Sequence, residues 1–254
     1  MFRPPTISAT NRWSSASSNL TVVNRSRHVH GLSQKIRALL RETAQPVAVV
    51  TSLMPSPDCA SSSSTSTRPF KFHGATLSSF TSISMSPHHL VAFSLRVPSR
   101  MATSLARLPS TASSHMVINL LAASQARVAT VFSRPDIHPR PFEDPGVQWS
   151  LSHDGFPMLH GCLGALACRV VGAPWPLNDL TALGDNHQAE GAADNIHTGD
   201  VQSELFVAQV IRVEDVPQAE DLVDDTLRTL PLVYHRQGYT TTSDRLNPDQ
   251  KEDG

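Results

Sequence analysis

The sequence predicts a mainly β protein whose strands pair antiparallel and close into a barrel, with a few short flanking helices. About six short runs rich in β-branched and apolar residues recur along the chain, and turn-forming residues separate them. The helical patterns between these runs are short and do not alternate regularly with them. A parallel sheet built from βαβ units is therefore not indicated.

The predicted strands share short apolar runs, in chain order Pro46–Leu53, Phe70–Leu77, two strands within Gly74–Pro98, His115–Leu121, Gly161–Val171, Glu204–Val213 and Pro231–His235. Apolar residues at helical spacing predict helices at Ser33–Thr43, Ser99–Leu108, Ala122–Phe132 and Asp221–Leu230. Two stretches without periodicity, about 54–68 and 175–200, predict long inserted loops.

The stretch Gly74–Pro98 is organised around hydroxyl side chains. Thr76, Ser78, Ser82 and Ser84 occupy alternate positions, and alternate side chains of a strand leave on the same face. Two interpretations stay open: a hydroxyl-lined groove for a small ligand, or an amphipathic hairpin with a solvated polar side.

The N-terminal segment is typical of a mitochondrial transit peptide. No Asp or Glu occurs from Met1 to Arg41, whereas Arg, Ser and Thr are frequent. We expect residues 1–32 to be a transit peptide, residues 33–240 to form the folded domain and residues 241–254 to be a disordered tail. The alternative for residues 1–32 is a disordered basic tail on a cytoplasmic protein.

Composition excludes several classes of protein. The net charge of −1 gives no electrostatic case for nucleic acid or an anionic membrane. Three cysteines without CxxC spacing argue against a disulfide framework, and no apolar run is long enough for a membrane span. The twelve histidines lack paired ligand spacing, so we expect no metal site.

A candidate anion site lies where the second predicted helix begins. Ser99 is a suitable N-cap, and Arg96 and Arg100 flank it. Helix N–H groups and two guanidinium groups at one corner favour a phosphate. The alternative is two solvated arginines beside an ordinary helix cap.

Five motifs in order resemble the flavin reductase-like family, which has an FMN-binding split-barrel fold. They are Gly74-x-Thr76-x-Ser78-Ser79-Phe80-x-Ser82-Ile83-Ser84, Val117-Ile118-Asn119-Leu120, Gln125 with Ala129, Phe132 and Ser133, Leu166-Ala167-Cys168, and Pro231-Leu232-Val233-Tyr234 with Tyr239. The resemblance spans about residues 36–239 and implies a homodimer with its site near the subunit interface.

The resemblance also implies a flavin site and a reaction. The flavin, FMN or FAD, would lie along the hydroxyl-bearing strand and accept hydride from NAD(P)H, so that the chain would be an oxidoreductase. The implied cofactor-binding residues divide by the part of the flavin that they would contact: Thr76, Ser78, Ser79 and Ser82 at the ring, Ser94, Leu95, Arg96, Ser99 and Arg100 at the ribityl chain and phosphate, and Phe132 with Ser133 over the ring or ribityl.

The sequence departs from the family pattern at two motifs. Met85-Ser86-Pro87-His88 replaces the family's Asp-Pro-Pro turn. Val201-Gln202-Ser203 stands where many reductases carry Gly-Asp-His, whose histidine is associated with nicotinamide. Flavin binding is therefore better supported than NAD(P)H turnover. The alternative function is a degenerate split barrel that serves as a mitochondrial interaction or assembly factor.

Overall fold

A computed structural model describes residues 31–54, 71–107, 111–178, 202–219 and 226–242. Its contacts divide the chain into two compact units, residues 1–43 and 44–254. Most of the predicted transit peptide, Cys59, most of both inserted loops and most of the C-terminal tail lie outside the described residues.

Within these ranges the chain forms thirteen strands, namely β1 Gln45–Pro46, β2 Ala48–Met54, β3 Lys71–Leu77, β4 Thr81–Ser84, β5 Leu90–Val97, β6 Met116–Leu120, β7 Trp149–Leu151, β8 Pro157–Leu159, β9 Gly164–Val170, β10 Trp175–Pro176, β11 Gln202–Glu214, β12 Val233–His235 and β13 Gly238–Thr240. The strand predicted at residues 231–235 covers only Val233–His235 in the structure, and the one predicted at residues 161–171 begins at Gly164.

One large antiparallel sheet forms the body of the second unit. Its strands follow the order β3-β2-β6-β9-β11-β5-β4, and β10 pairs with β11. All pairings among the described strands are antiparallel, which confirms the predicted fold class. Smaller sheets, β1-β12-β13 and β7-β8, accompany it. Strands β3 and β4 are the two edges of the large sheet.

The central strands are buried on both faces, which explains their unbroken apolar sequences. On β2, Val49 joins one core cluster with helix residues such as Phe132. Val50, the next residue, joins a second cluster with Phe93 and Phe206, whose rings stack at 5.5 Å. Because successive side chains of a strand point to opposite faces, two covered faces favour apolar residues at successive positions.

Three α-helices are described, all of them near predicted positions. Helix α1 covers residues 31–41, so Ser33 lies inside it rather than at its N-cap. Helix α2 (Arg100–Ala106) begins after the predicted N-cap Ser99, whose hydroxyl accepts the Ala102 N–H at 3.1 Å. A 3-10 turn, Ala123–Gln125, precedes α3 (Ala126–Ser133).

The single Ser-rich strand predicted for residues 74–84 is wrong. Strand β3 ends at Leu77, the chain bends through Ser78 and Ser79, and β4 begins at Thr81 and pairs with β5 instead. Thr76 and Ser82 therefore belong to opposite edges of the large sheet. The β4–β5 hairpin itself is confirmed.

Several smaller observations complete the fold. Cys162 precedes β9 rather than sharing it with Cys168; both are free and buried, and burial raises the pKa of each thiol to about 12.

No described helix is long and apolar enough to cross a membrane. Among the described side chains, no group of three His, Cys, Asp or Glu residues is placed to hold a metal ion.

Candidate functional site

A cleft of about 790 Å³ lies between the edge strand β3 and the C-terminal end of β5. The bend after β3 and the start of α2 line it on one side. The end of α3 and the segment that follows it line the other. Three stretches far apart in the chain, residues 73–79, 94–101 and 131–141, thus meet at one concave site, and its volume falls in the usual range for small-molecule sites.

The cleft collects all but one of the residues that the sequence predicts for cofactor binding. Those lining it are Thr76, Ser78, Ser79, Ser94, Leu95, Arg96, Ser99, Arg100, Phe132 and Ser133. Ser82 is not among the lining residues; it is exposed on β4, where its hydroxyl lies 3.6 Å from the Met85 sulfur.

Two of the predicted hydroxyls hold the walls of the cleft together. Thr76 Oγ1 donates to the Ala129 carbonyl of α3 at 2.7 Å. Ser79 Oγ donates to the Ser94 carbonyl at 3.2 Å and accepts the Ser94 N–H at 2.9 Å. Their protons are used within the protein, so towards a ligand these hydroxyl oxygens can only accept.

Gly74 allows α3 to approach β3 closely. A Cβ atom at this position would lie 2.4 Å from Phe132 Cε1, far inside van der Waals contact. The Phe132 ring is buried between this backbone and Phe142, whose ring centroid is 5.1 Å away. The absence of a side chain at Gly74 therefore sets the position of the aromatic residue that lines the cleft.

The cleft carries a net positive charge. Arg96 and Arg100 line it and are exposed, and Asp136 is the single acidic residue among the lining side chains. Asp136 Oδ1 lies 3.6 Å from Arg134 Nε, so the charge of Arg134 offsets that of Asp136. Burial, and then the charge of Arg100, lower the pKa of the half-buried His73. These groups favour an anionic ligand at this end of the cleft.

The charge comes mainly from the guanidinium groups. Helix α2 spans only seven residues, and Ser99 satisfies two of its first N–H groups through its hydroxyl and its carbonyl. Arg96 at the end of β5 and Arg100 at the start of α2 are the side chains that can form charge-assisted hydrogen bonds with an oxyanion.

The far wall of the cleft was not predicted from the sequence. Pro135, His138, Pro139 and Pro141 line it, although the segment looked merely irregular and Pro-rich. His138 Nδ1 lies 3.8 Å from an Asp144 carboxylate oxygen. The Pro-rich segment directly follows Phe132 and Ser133 in the chain. Because both residues were already predicted to line a site, this position is the signal that could have indicated the wall.

Ser203 also lines the cleft, at the start of β11 opposite Arg96. It occupies the register position at which the resemblance leads us to expect the histidine of Gly-Asp-His. The cleft therefore includes this register position, but the side chain there is a hydroxyl and not an imidazole.

Solved structures with the same fold include several flavin reductases. One is the flavin reductase component of a bacterial two-component tryptophan halogenase, with 22% identity and a TM-score of 0.51 over 84% of this chain and 99% of that chain. The styrene monooxygenase flavin reductase of Pseudomonas putida gives 23% identity and a TM-score of 0.51 over 83% and 99%. An NADH:FAD oxidoreductase of Streptomyces globisporus gives 20% and 0.50 over 86% and 95%.

These similarities, all below 25% identity, support the split-barrel architecture. The family assignment comes from the sequence, because the model of the flavin reductase like domain matches residues 40–243 and so includes every segment that lines the cleft. The chain is a split-barrel protein that belongs to the flavin reductase-like family.

Proposed function

We propose that this chain is an NAD(P)H-dependent flavin reductase that binds FMN or FAD in the cleft between β3 and β5. One observation carries the proposal: ten of the eleven residues predicted for cofactor binding line a single cleft, although they come from three separate parts of the chain. The order of strands and helices along the sequence does not by itself require this convergence.

The isoalloxazine ring fits along β3. As an edge strand, β3 pairs only with β2 in the large sheet, and alternate residues of an edge strand turn their N–H and C=O groups outward. The pyrimidine side of the ring offers complementary acceptors and a donor. Phe132 supplies an apolar surface beside it, and its ring is held in place by Gly74 and Phe142.

The ribityl chain and phosphate fit the opposite end of the cleft. Ser94 and Leu95 precede Arg96 on β5, and Ser99 and Arg100 follow across Pro98. Two guanidinium groups can bind the phosphate oxygens there. Arg100→Ala is expected to weaken FMN binding more than riboflavin binding, because riboflavin lacks the phosphate. Equal weakening of both ligands would contradict this placement.

The nicotinamide would enter from the side of Ser203 and the Pro-rich wall. The similar oxidoreductase of Streptomyces globisporus is described in complex with NAD and FAD fragments. Bound flavin would supply the hydride-accepting chemistry. The protein's own residues orient the two rings and exclude water, and no side chain is required as a nucleophile.

Reconstitution with flavin tests the proposal directly. The full chain, incubated with FMN or FAD and desalted, is expected to retain the yellow colour of oxidised flavin and to lose it anaerobically on addition of NADH or NADPH. Binding measured by quenching of flavin fluorescence gives the preferred flavin. A chain that stays colourless and quenches neither flavin would refute the proposal.

Ser203 favours one second candidate, a flavin-binding split barrel without reductase turnover that serves as an interaction or assembly factor in mitochondria. It predicts a yellow protein whose colour persists with both nicotinamide nucleotides. Ser203→His distinguishes the two: if only the missing imidazole limits the reaction, the variant reduces bound flavin faster than the wild type does.

We further propose that the chain functions as a homodimer, as the resemblance implies. Large apolar side chains remain exposed on the second unit, among them Met85 at 69%, Val213 at 68% and Trp175 at 51%. Burial of such residues against a second copy would remove this apolar surface from water. Sedimentation equilibrium tests the proposal, and a monomer at micromolar concentration would contradict it.

A further inference from the structure

We propose that His73 is a third cationic partner for the flavin phosphate and that it takes up a proton when a flavin bearing a phosphate monoester binds. This inference rests on the proposed flavin site and deepens it, because it names the residue that makes the site discriminate between FMN and riboflavin.

The position of His73 on β3 places it at the phosphate end of the cleft. Its neighbours on the same face of the strand are Ala75 and Leu77, and Leu77 packs in a core cluster with Met101 of α2. His73 therefore faces the start of α2, where Arg100 lies, and both residues line the cleft. Arg100 is close enough to lower the pKa of His73.

In the free protein His73 is surrounded by groups that oppose its charge. Arg100 and Arg96 are cationic, and the strand partner of His73 on β2 is Ser52, which does not ionise. The acidic residue of the cleft, Asp136, lies beside Arg134. The remaining titratable group is the far-wall histidine, His138, whose ring lies 3.8 Å from Asp144. Half-burial is the larger cause and also lowers the pKa of His73, so its neutral form predominates at pH 7.

A bound phosphate reverses this balance. A phosphate monoester carries close to two negative charges above its second pKa of about 6. Placed between Arg96 and Arg100, it offsets the charge that holds the pKa of His73 down, and it offers an acceptor to the imidazolium. The pKa of His73 is then higher in the complex than in the free protein, and binding takes up a proton.

The sign of the pH dependence follows from this shift. Because the pKa of His73 rises on binding, the gain in FMN affinity is complete below the pKa of free His73 and is lost as pH rises through the pKa in the complex. A rise of one unit corresponds to a tenfold gain in affinity. Riboflavin has no phosphate, so its affinity is expected not to follow this titration.

Calorimetric titration of the full chain with FMN and with riboflavin tests the inference. Performed at constant pH in two buffers of different ionisation enthalpy, it gives the number of protons taken up. We expect uptake with FMN near neutral pH and none with riboflavin. The ratio of FMN to riboflavin affinity is expected to fall as pH rises from about 6.5 to about 8.5.

Three variants assign the proton. His73→Gln is expected to abolish the uptake and to lower the affinity ratio severalfold at about pH 6.5, with riboflavin affinity unchanged. His138→Gln, which removes the other histidine of the cleft, is expected to keep the proton uptake, and His88→Gln, at an exposed position that does not line the cleft, is the matched control. His73→Lys carries a permanent charge and is expected to keep the ratio high and independent of pH; it also tests the inference if the Gln variant does not fold.

Uptake that persists in His73→Gln, or that disappears in His138→Gln instead, would overturn the inference. Flavin binding without any dependence on His73 would overturn the inference alone and leave the proposed function standing. Failure of the wild type to bind either flavin would overturn both.

Discussion

Replacing Gly74 by alanine tests whether close packing between β3 and α3 builds the cleft. The added Cβ would lie 2.4 Å from Phe132 Cε1 and 2.5 Å from Cδ1. Ordinary contact begins at 3.4 Å, so the ring and the strand must separate by 3.4 − 2.4 = 1.0 Å. Phe132 cannot simply rotate away, because it is 4% exposed and packs edge-on against Phe142.

The expected cost follows from that displacement. Inserting a methyl group into a packed core costs about 1–3 kcal/mol. Alanine in a strand interior recovers about 0.5–1 kcal/mol relative to glycine. We therefore expect Gly74→Ala to lower the free energy of unfolding by about 1–2 kcal/mol. Flavin affinity is expected to fall as well, because the displaced Phe132 lines the cleft.

Urea denaturation and flavin titration of the same variants measure both effects. Gly164→Ala is the matched control, since Gly164 also lies in the large sheet and a Cβ there meets nothing within 4 Å. The double variant Gly74→Ala/Phe132→Leu is expected to lose less stability than the sum of the two single changes. A Gly74→Ala protein as stable as Gly164→Ala would refute the reasoning.

Three further predictions concern other parts of the chain. Asn119→Leu is expected to cost about 2–4 kcal/mol of stability, because the wholly buried Asn119 accepts the Leu159 N–H at 2.9 Å and the apolar replacement leaves that donor unpaired; urea denaturation measures the loss. The pKa of Asp154 is lowered to about 2, foremost by a hydrogen bond from Ser114, so its stabilisation is present above pH 4 and is lost as pH falls towards 2. The stability difference between the wild type and Asp154→Asn should therefore shrink over that range, and a constant difference would contradict the assignment. Residues Met1–Leu32 fused to a fluorescent reporter are expected to direct it to mitochondria, and a diffuse cytosolic signal would argue against the transit peptide.

The strands that could be located from the sequence are those with two buried faces. β2 and β6 read as mainly apolar runs, and each lies close to its predicted position. Helix α2 was equally clear, because Ser99 at its N-cap precedes apolar residues at helical spacing. In these segments the local pattern and the tertiary environment agree.

The Ser-rich stretch shows where such patterns stop being informative. Hydroxyls at alternate positions suit one long strand, but they suit equally well two strands separated by a bend. The bend at Ser78–Ser79 exists because Ser79 bonds to the backbone of Ser94, fifteen residues further along the chain. No local pattern contains that partner, so Ser82 was grouped with residues of the other sheet edge.

The far wall of the cleft was missed for a related reason. Residues 135–141 have neither strand nor helix periodicity, and only their position across the cleft from β3 and α2 makes them part of a site. The same holds for His73, whose role is defined by the nearby Arg100 of another element.

The sequence by itself determined the class of fold, the order of the main strands, the family and ten of the residues that line the cleft, because apolar periodicity and short motifs are local properties of the chain. Tertiary structure decided which hydroxyls hold the walls and which remain exposed, how closely α3 approaches β3 at Gly74, and which charges surround His73. These properties depend on distances between segments far apart in sequence, and only the folded packing of the sheet and its helices sets them.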